Sequence, residues 1–139
     1  MMSKFRAWRL ANGGSMHQVS SLDFNEDGDL SGVIVINSKE PLFRERILPE
    51  NCVLMQSTSL KDLNGVEIYE GDILEGVQWL SSGLPHSITG TVRYDLNGAK
   101  FIVTNIDGAY FICNLGDTVY ELEIIGNIYG NPELLEVAK

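Results

Sequence analysis

The sequence predicts a mainly β globular protein of short antiparallel strands, with a small barrel in its second half. Three observations carry that prediction. Five Asn-Gly or Asp-Gly pairs, at Asn12-Gly13, Asp27-Gly28, Asn64-Gly65, Asn97-Gly98 and Asp107-Gly108, supply the positive φ angles that tight hairpins demand. Short β-branched or aromatic segments flank most of these pairs. Signals for helices are few.

Taken in order, Phe5 to Leu10 reads as a strand before the first pair. Val19 to Phe24 and Val33 to Ile36 flank the second, and Val66 to Ile68 alternates after the third. Val92 to Tyr94 and Phe101 to Val103 bracket the fourth, and Tyr110 to Cys113 follows the fifth. Val119 to Ile125 puts Tyr120, Leu122 and Ile124 on one face and Glu121 and Glu123 on the other, the period of two of a half-buried strand. Pro41 to Leu48 reads as one short helix or an irregular strand, and Pro49 ends it either way. Asn131-Pro132-Glu133 combines an N-cap residue, a proline at the first helical position and an acid, which predicts a short C-terminal helix. Ser81 to Ser87 reads as an exposed loop. A join near Tyr69 to Asp72 divides the chain into residues 1–70 and 71–139, as two subdomains or one compact unit.

At 139 residues the chain can bury a core without metal or disulfide staples. Its purely apolar runs, such as Val33 to Ile36, fall far below the roughly 20 residues that cross a bilayer. No apolar stretch follows Lys4, Arg6 and Arg9, so they do not form a secretory signal. The expectation is a cytoplasmic protein with no membrane partner. Cys52 and Cys113 lie in apolar surroundings and read as reduced packing residues. The net charge of −9 opposes unassisted binding to phosphate backbones. Seven basic and ten acidic residues precede Gly71, and three basic and nine acidic follow from it. The acids are scattered, which fits a solvated surface better than the dense carboxylate array of a nucleic-acid mimic.

Candidate chemistry is sparse. Asp23, Asn25 and Asp27, followed by Gly28, match the opening of a calcium loop, but the twelfth place holds Ile34 where a bidentate glutamate belongs. A hairpin with polar residues facing water accounts for them, with weak cation binding as the alternative. His17 and His86 have no neighbour at metal-ligand spacing. Phosphate-binding glycine loops and a serine-nucleophile elbow are absent. Glu70 and Asp72 read as turn residues. The aromatics Trp8, Trp79, Tyr69, Tyr94, Phe101, Tyr110, Phe111, Tyr120 and Tyr129 could stack on bases. The second half, however, has only Arg93, Lys100 and Lys139 to attract a strand, so packing is their expected use. No catalytic, cofactor or metal residues are assigned, and no cofactor is expected.

Three stretches carry a resemblance: Lys4 to Trp8, Leu54 to Ile73 (LMQSTSLKDLNGVEIYEGDI) and Ile124 to Leu135 (IIGNIYGNPELL). In order and spacing they resemble the YopX family of bacteriophage and prophage proteins, with Ser59 where that family usually has Gly and Gly130 where an acid is common. The resemblance implies an N-terminal α+β portion packed on a C-terminal β-barrel of SH3-like character, and no established catalytic residues. The leading expectation is a non-catalytic phage accessory protein that binds a protein partner or self-assembles as a homo-oligomer. The alternative is a nucleic-acid-binding barrel using Arg6, Arg9, Lys39, Arg44 and Arg46; a third option is an enzyme of unrecognised type.

Overall fold

A computed structural model describes residues 4–37, 39–79, 82–105, 108, 111–115 and 119–137. The chain divides into two compact units, Met1–Ser57 and Thr58–Lys139. In the first, β1 (Phe5–Arg9), β2 (Ser15–Phe24), β3 (Leu30–Ile36) and β4 (Arg44–Ile47) form an antiparallel meander. β5 (Cys52–Lys61) then returns to pair with β1, so that Ala7 lies opposite His17 on one side and Leu54 on the other. Alternation puts Ala7, Val19, Val33, Val35 and Ile47 into one core, with Phe5, Leu22, Leu30, Cys52 and Leu54 packed against it.

The second unit repeats this strand order. β6 (Glu67–Tyr69) pairs with the end of β5, and β7 (Asp72–Trp79), β8 (Pro85–Asp95), β9 (Lys100–Thr104) and β10 (Phe111–Asn114) form a second meander. β11 (Val119–Asn127) returns to β7, giving the order β10-β9-β8-β7-β11, and α1 (Pro132–Val137) is the short terminal helix expected from Asn131-Pro132. Ile68, Leu74, Ile88, Val92, Val103 and Cys113 form the core here.

The protein is therefore mainly β, with two antiparallel sheets. Two expectations need correcting. Neither sheet closes into a barrel among the described residues, since β4 and β10 each end a strand order. β10 has only four residues and its register shifts between Phe111 and Cys113, leaving little ladder with which to close. The N-terminal part expected to be α+β holds no α-helix among its described residues. Pro41 to Leu48 resolves as strand β4, with Ile47 buried and Arg44, Glu45 and Arg46 exposed. Burial of Ile47 against Val33 and Val35 of β3 decides in favour of the strand.

Asn-Gly and Asp-Gly pairs do mark strand connections, although by more than one geometry. Asn12 and Gly13 both take positive φ between β1 and β2. At Asp27-Gly28 and Asn64-Gly65 only the glycine does, and the turn closes by two backbone bonds, Gly65 N–H to Asp62 O (3.0 Å) and Asp62 N–H to Val66 O (2.8 Å). Asp107 lies outside the described residues. So do Leu80 and Ser81; of the loop expected over Ser81 to Ser87, Pro85 to Ser87 already belong to β8.

Ser59 sits at φ 64 within β5, in the left-handed region that a β-branched side chain resists. A glycine at this place would carry no such strain. Ser59→Val should lower stability by about 1–2 kcal/mol, while Ser59→Gly should leave it equal or higher; urea midpoints of the two variants check this.

Candidate functional site

Polar residues of the most distinctive segment face the backbone. Asp62 directly follows β5 and is only 8% exposed. Its Oδ1 accepts the N–H groups of Asn64 and Val66, both at 2.9 Å, and its Oδ2 accepts the N–H of Ile124 on β11 at 3.1 Å. Leu63 N–H donates to Leu122 O alongside (2.9 Å), so the β5–β6 turn is sewn to β11. Burial pushes the Asp62 carboxyl up, but the N–H groups of Val66, Ile124 and Asn64 together outweigh it and hold the carboxyl below the usual range. Asp72, 1% exposed, accepts Tyr69 N–H at 2.8 Å and fixes the Glu70-Gly71 turn that starts β7. Asn127 Oδ1 accepts the N–H groups of Tyr129 and Gly130, and Asn131 Oδ1 accepts Asn127 N–H. These oxygens stabilise turns and strand ends, which occupies them.

Residues named from sequence as candidate cation ligands do not form a common site. Asp23, at the end of β2, faces Arg46 at 3.4 Å. Asn25 Oδ1 is occupied by the N–H groups of Asp27 and Asp29, both at 3.0 Å, and Asp27 lies exposed in the same turn. Among the described residues no group of three or more His, Cys, Asp or Glu could hold a metal. His17 is hydrogen-bonded to Ser15 Oγ at 2.7 Å, while His86 is exposed opposite Gln78 on the β7–β8 ladder. Cys52 and Cys113 are not joined by a disulfide, and burial pushes the Cys52 thiol up. Tyr94 and Phe101 face each other across β8 and β9, edge to face at 5.1 Å.

Two surface features were not legible in the sequence. The first is a cleft of about 470 Å³ in the first unit, lined by Arg9, Leu10, Ala11, Arg46, Leu48 and Asn51 among others. Arg9 bonds to Glu45 at 2.5 Å, and its guanidinium is the main reason that carboxyl is held low. Arg46 reaches Ser31 O at 2.6 Å by lying across Gly32, where a Cβ would meet Arg46 Nε at 2.5 Å. Arg44, two residues away on β4, bonds to the carbonyls of Pro41 and Phe43. Leu10 and Leu48 line the cleft while remaining 53% and 43% exposed.

The second feature is a like-charge pair. Glu75 on β7 lies directly opposite Glu123 on β11; both are exposed, and neither has a salt bridge among the described residues. Carboxylates so placed repel and cost stability. Only the β7–β11 register reveals them, since the two lie 48 positions apart in the chain.

Two predictions follow from these interactions. Asp62→Ala strands three N–H groups and should cost about 2–3 kcal/mol by chemical denaturation. Because the folded carboxyl titrates below the unfolded one, Asp62's contribution is complete above the unfolded value of about pH 4 and is lost as pH falls through the folded value. Asp62→Asn should therefore flatten the decline of the urea midpoint below about pH 4. Conversely, Glu123→Lys should raise stability by about 0.2–1 kcal/mol at low salt, the gain shrinking as salt is added.

The crystal structure of protein EF1440 from Enterococcus faecalis is similar to this chain, with a TM-score of 0.61, 28% sequence identity, and coverage of 95% of this chain and 96% of that one. No curated protein matches. The YopX protein family matches residues 4–136, a span that takes in the Asp62 turn, the start of β7 at Asp72 and the Asn127–Asn131 turn. The chain belongs to the YopX family.

Proposed function

We propose that this protein is a non-catalytic phage or prophage accessory protein that acts in the cytoplasm of its bacterial host by binding protein, its own chain included. The observation that carries this reading is the apolar character of its hairpin tips. Leu42 is 95% exposed and Phe43 63% exposed between β3 and β4. Their loop is nonetheless held in place: Asn37 Oδ1 accepts the N–H groups of Lys39 and Glu40, and Phe43 N–H donates to Glu40 O. Exposed Leu and Phe side chains are suited to becoming buried anchors in a protein interface. In the second unit Leu96 is exposed likewise at the β8–β9 tip. The strand order of that unit, a meander whose fifth strand pairs back on the first, is also the order of an SH3-like barrel, an architecture suited to recognition.

A nucleic-acid-binding alternative draws support from the gathering of Arg9, Arg44 and Arg46 in the first unit. Pairing of Arg9 with Glu45 and of Arg46 with Asp23 weakens it. A salt-sensitive mobility shift with DNA or RNA at low salt would favour it.

The test is affinity purification of the tagged chain, after crosslinking, from infected or prophage-bearing cells. The expected result is one stoichiometric protein, either a partner or the chain itself, whose recovery falls when Leu42→Ser and Phe43→Ser are combined. Wild-type chain that captures no protein and does not self-associate would sink the reading.

A further inference from the structure

Charge is divided unequally between the two units. Up to Ser57 the chain carries six basic and seven acidic residues; from Thr58 it carries four basic and twelve acidic. Within that imbalance lie two complementary surfaces. The cleft of the first unit is apolar at Leu10 and Leu48 and rimmed by Arg9 and Arg46, with Arg44 beside them on β4. On the second unit, the opposed Glu75 and Glu123 share the β7–β11 ladder with a nearby turn that bears exposed Leu63 and Val66 and is bonded to β11 at Leu122 and Ile124, on either side of Glu123.

We infer that the chain self-associates head to tail: the Glu75/Glu123 face of one copy, with its Leu63–Val66 turn, docks on the arginine-rimmed cleft of a second copy. Burying Leu10 and Leu48 of one copy against Leu63 and Val66 of the other removes exposed apolar area from water. Arg44 and Arg46 then neutralise two carboxylates that repel each other within one chain. The Arg46–Asp23 pair competes with this contact, but its side chains are about half exposed and separated by 3.4 Å, so a partner's carboxylates can displace it at low salt.

Symmetric pairing of the open β4 edge is the competing way for copies to meet, and charge disfavours it. A two-fold antiparallel pairing centred on Glu45 places Glu45 against itself and Arg44 against Arg46, and one centred on Arg46 places that arginine against itself. A head-to-tail contact joins unlike surfaces and propagates into a ring or a filament.

This inference rests on the protein-binding reading above, and light scattering with sedimentation velocity separates the two. Wild-type chain should assemble at low salt, with association weakened roughly tenfold or more by half-molar sodium chloride. A variant with Arg44→Glu and Arg46→Glu, and another with Glu75→Lys and Glu123→Lys, should each be monomeric alone with strand content unchanged by circular dichroism. Mixed in equal amounts they present opposite charges at both contacts and should recover the wild-type mass. A wild-type chain that stays monomeric, or assembly untouched by either variant, or a mixture that fails to recover, would overturn the inference. Capture of a different protein by a monomeric chain would leave the broader reading standing while this one fell.

Discussion

A single buried carboxylate ties together parts of the second unit that lie far apart in the chain. Asp62 directly follows one strand, closes the turn to the next through Asn64 and Val66, and reaches Ile124, 62 positions later, through its second oxygen. A carboxylate offers enough acceptor sites for three backbone donors, which an amide or hydroxyl in its place would not match. Because that clamp fixes β11 from its outer side, β11 keeps its place on β7 despite register shifts between Tyr120 and Glu123 and between Ile124 and Gly126. Leu122 and Ile124 are thereby held against the core. Asp72 and Asn131 do smaller versions of the same work, each satisfying a backbone N–H where the chain changes direction.

The same turn is built a second time with a different residue. Asn25 accepts the N–H groups two and four positions on, as Asp62 does, and both turns close on a glycine at positive φ. Asn25 has one carbonyl oxygen and serves one hairpin; Asp62 has two and serves a hairpin and a distant strand. This also accounts for the partial calcium-loop pattern at Asp23 to Gly28. Calcium loops and turns of this kind both favour Asp or Asn at short spacing followed by Gly, so turn geometry is sufficient to produce the pattern.

Much of the fold was legible because its punctuation is local. Each described Asn-Gly or Asp-Gly pair falls between strands, and the Asn131-Pro132 signal marks the terminal helix. What could not be read was pairing across distance. Nothing near Val119 indicates that β11 would return to β7, and nothing near Cys52 indicates that β5 would return to β1, so a shared strand order in the two units was invisible. β4 was ambiguous for a physical reason: Arg-Glu-Arg-Ile exposes three charged residues, and only burial of Ile47 against Val33 and Val35 decides in favour of a strand. Asn64-Gly65 and Glu70-Gly71-Asp72 fall in turns, as their residue types suggest, whereas the Glu75–Glu123 pair required the register.

Oxygen atoms of Asp62, Asp72, Asn127 and Asn131 are occupied by backbone N–H groups, so the residues that most distinguish this sequence build its fold and leave recognition to other side chains. Those others share one feature: each is disfavoured in the isolated chain. Leu42 and Phe43 face water, and Glu75 faces Glu123. A stable fold tolerates such local costs where a partner relieves them, since apolar tips gain by burial and opposed carboxylates gain by meeting cations. The proposed protein binding rests on these exposed surfaces, because burial and charge pairing there would remove both costs.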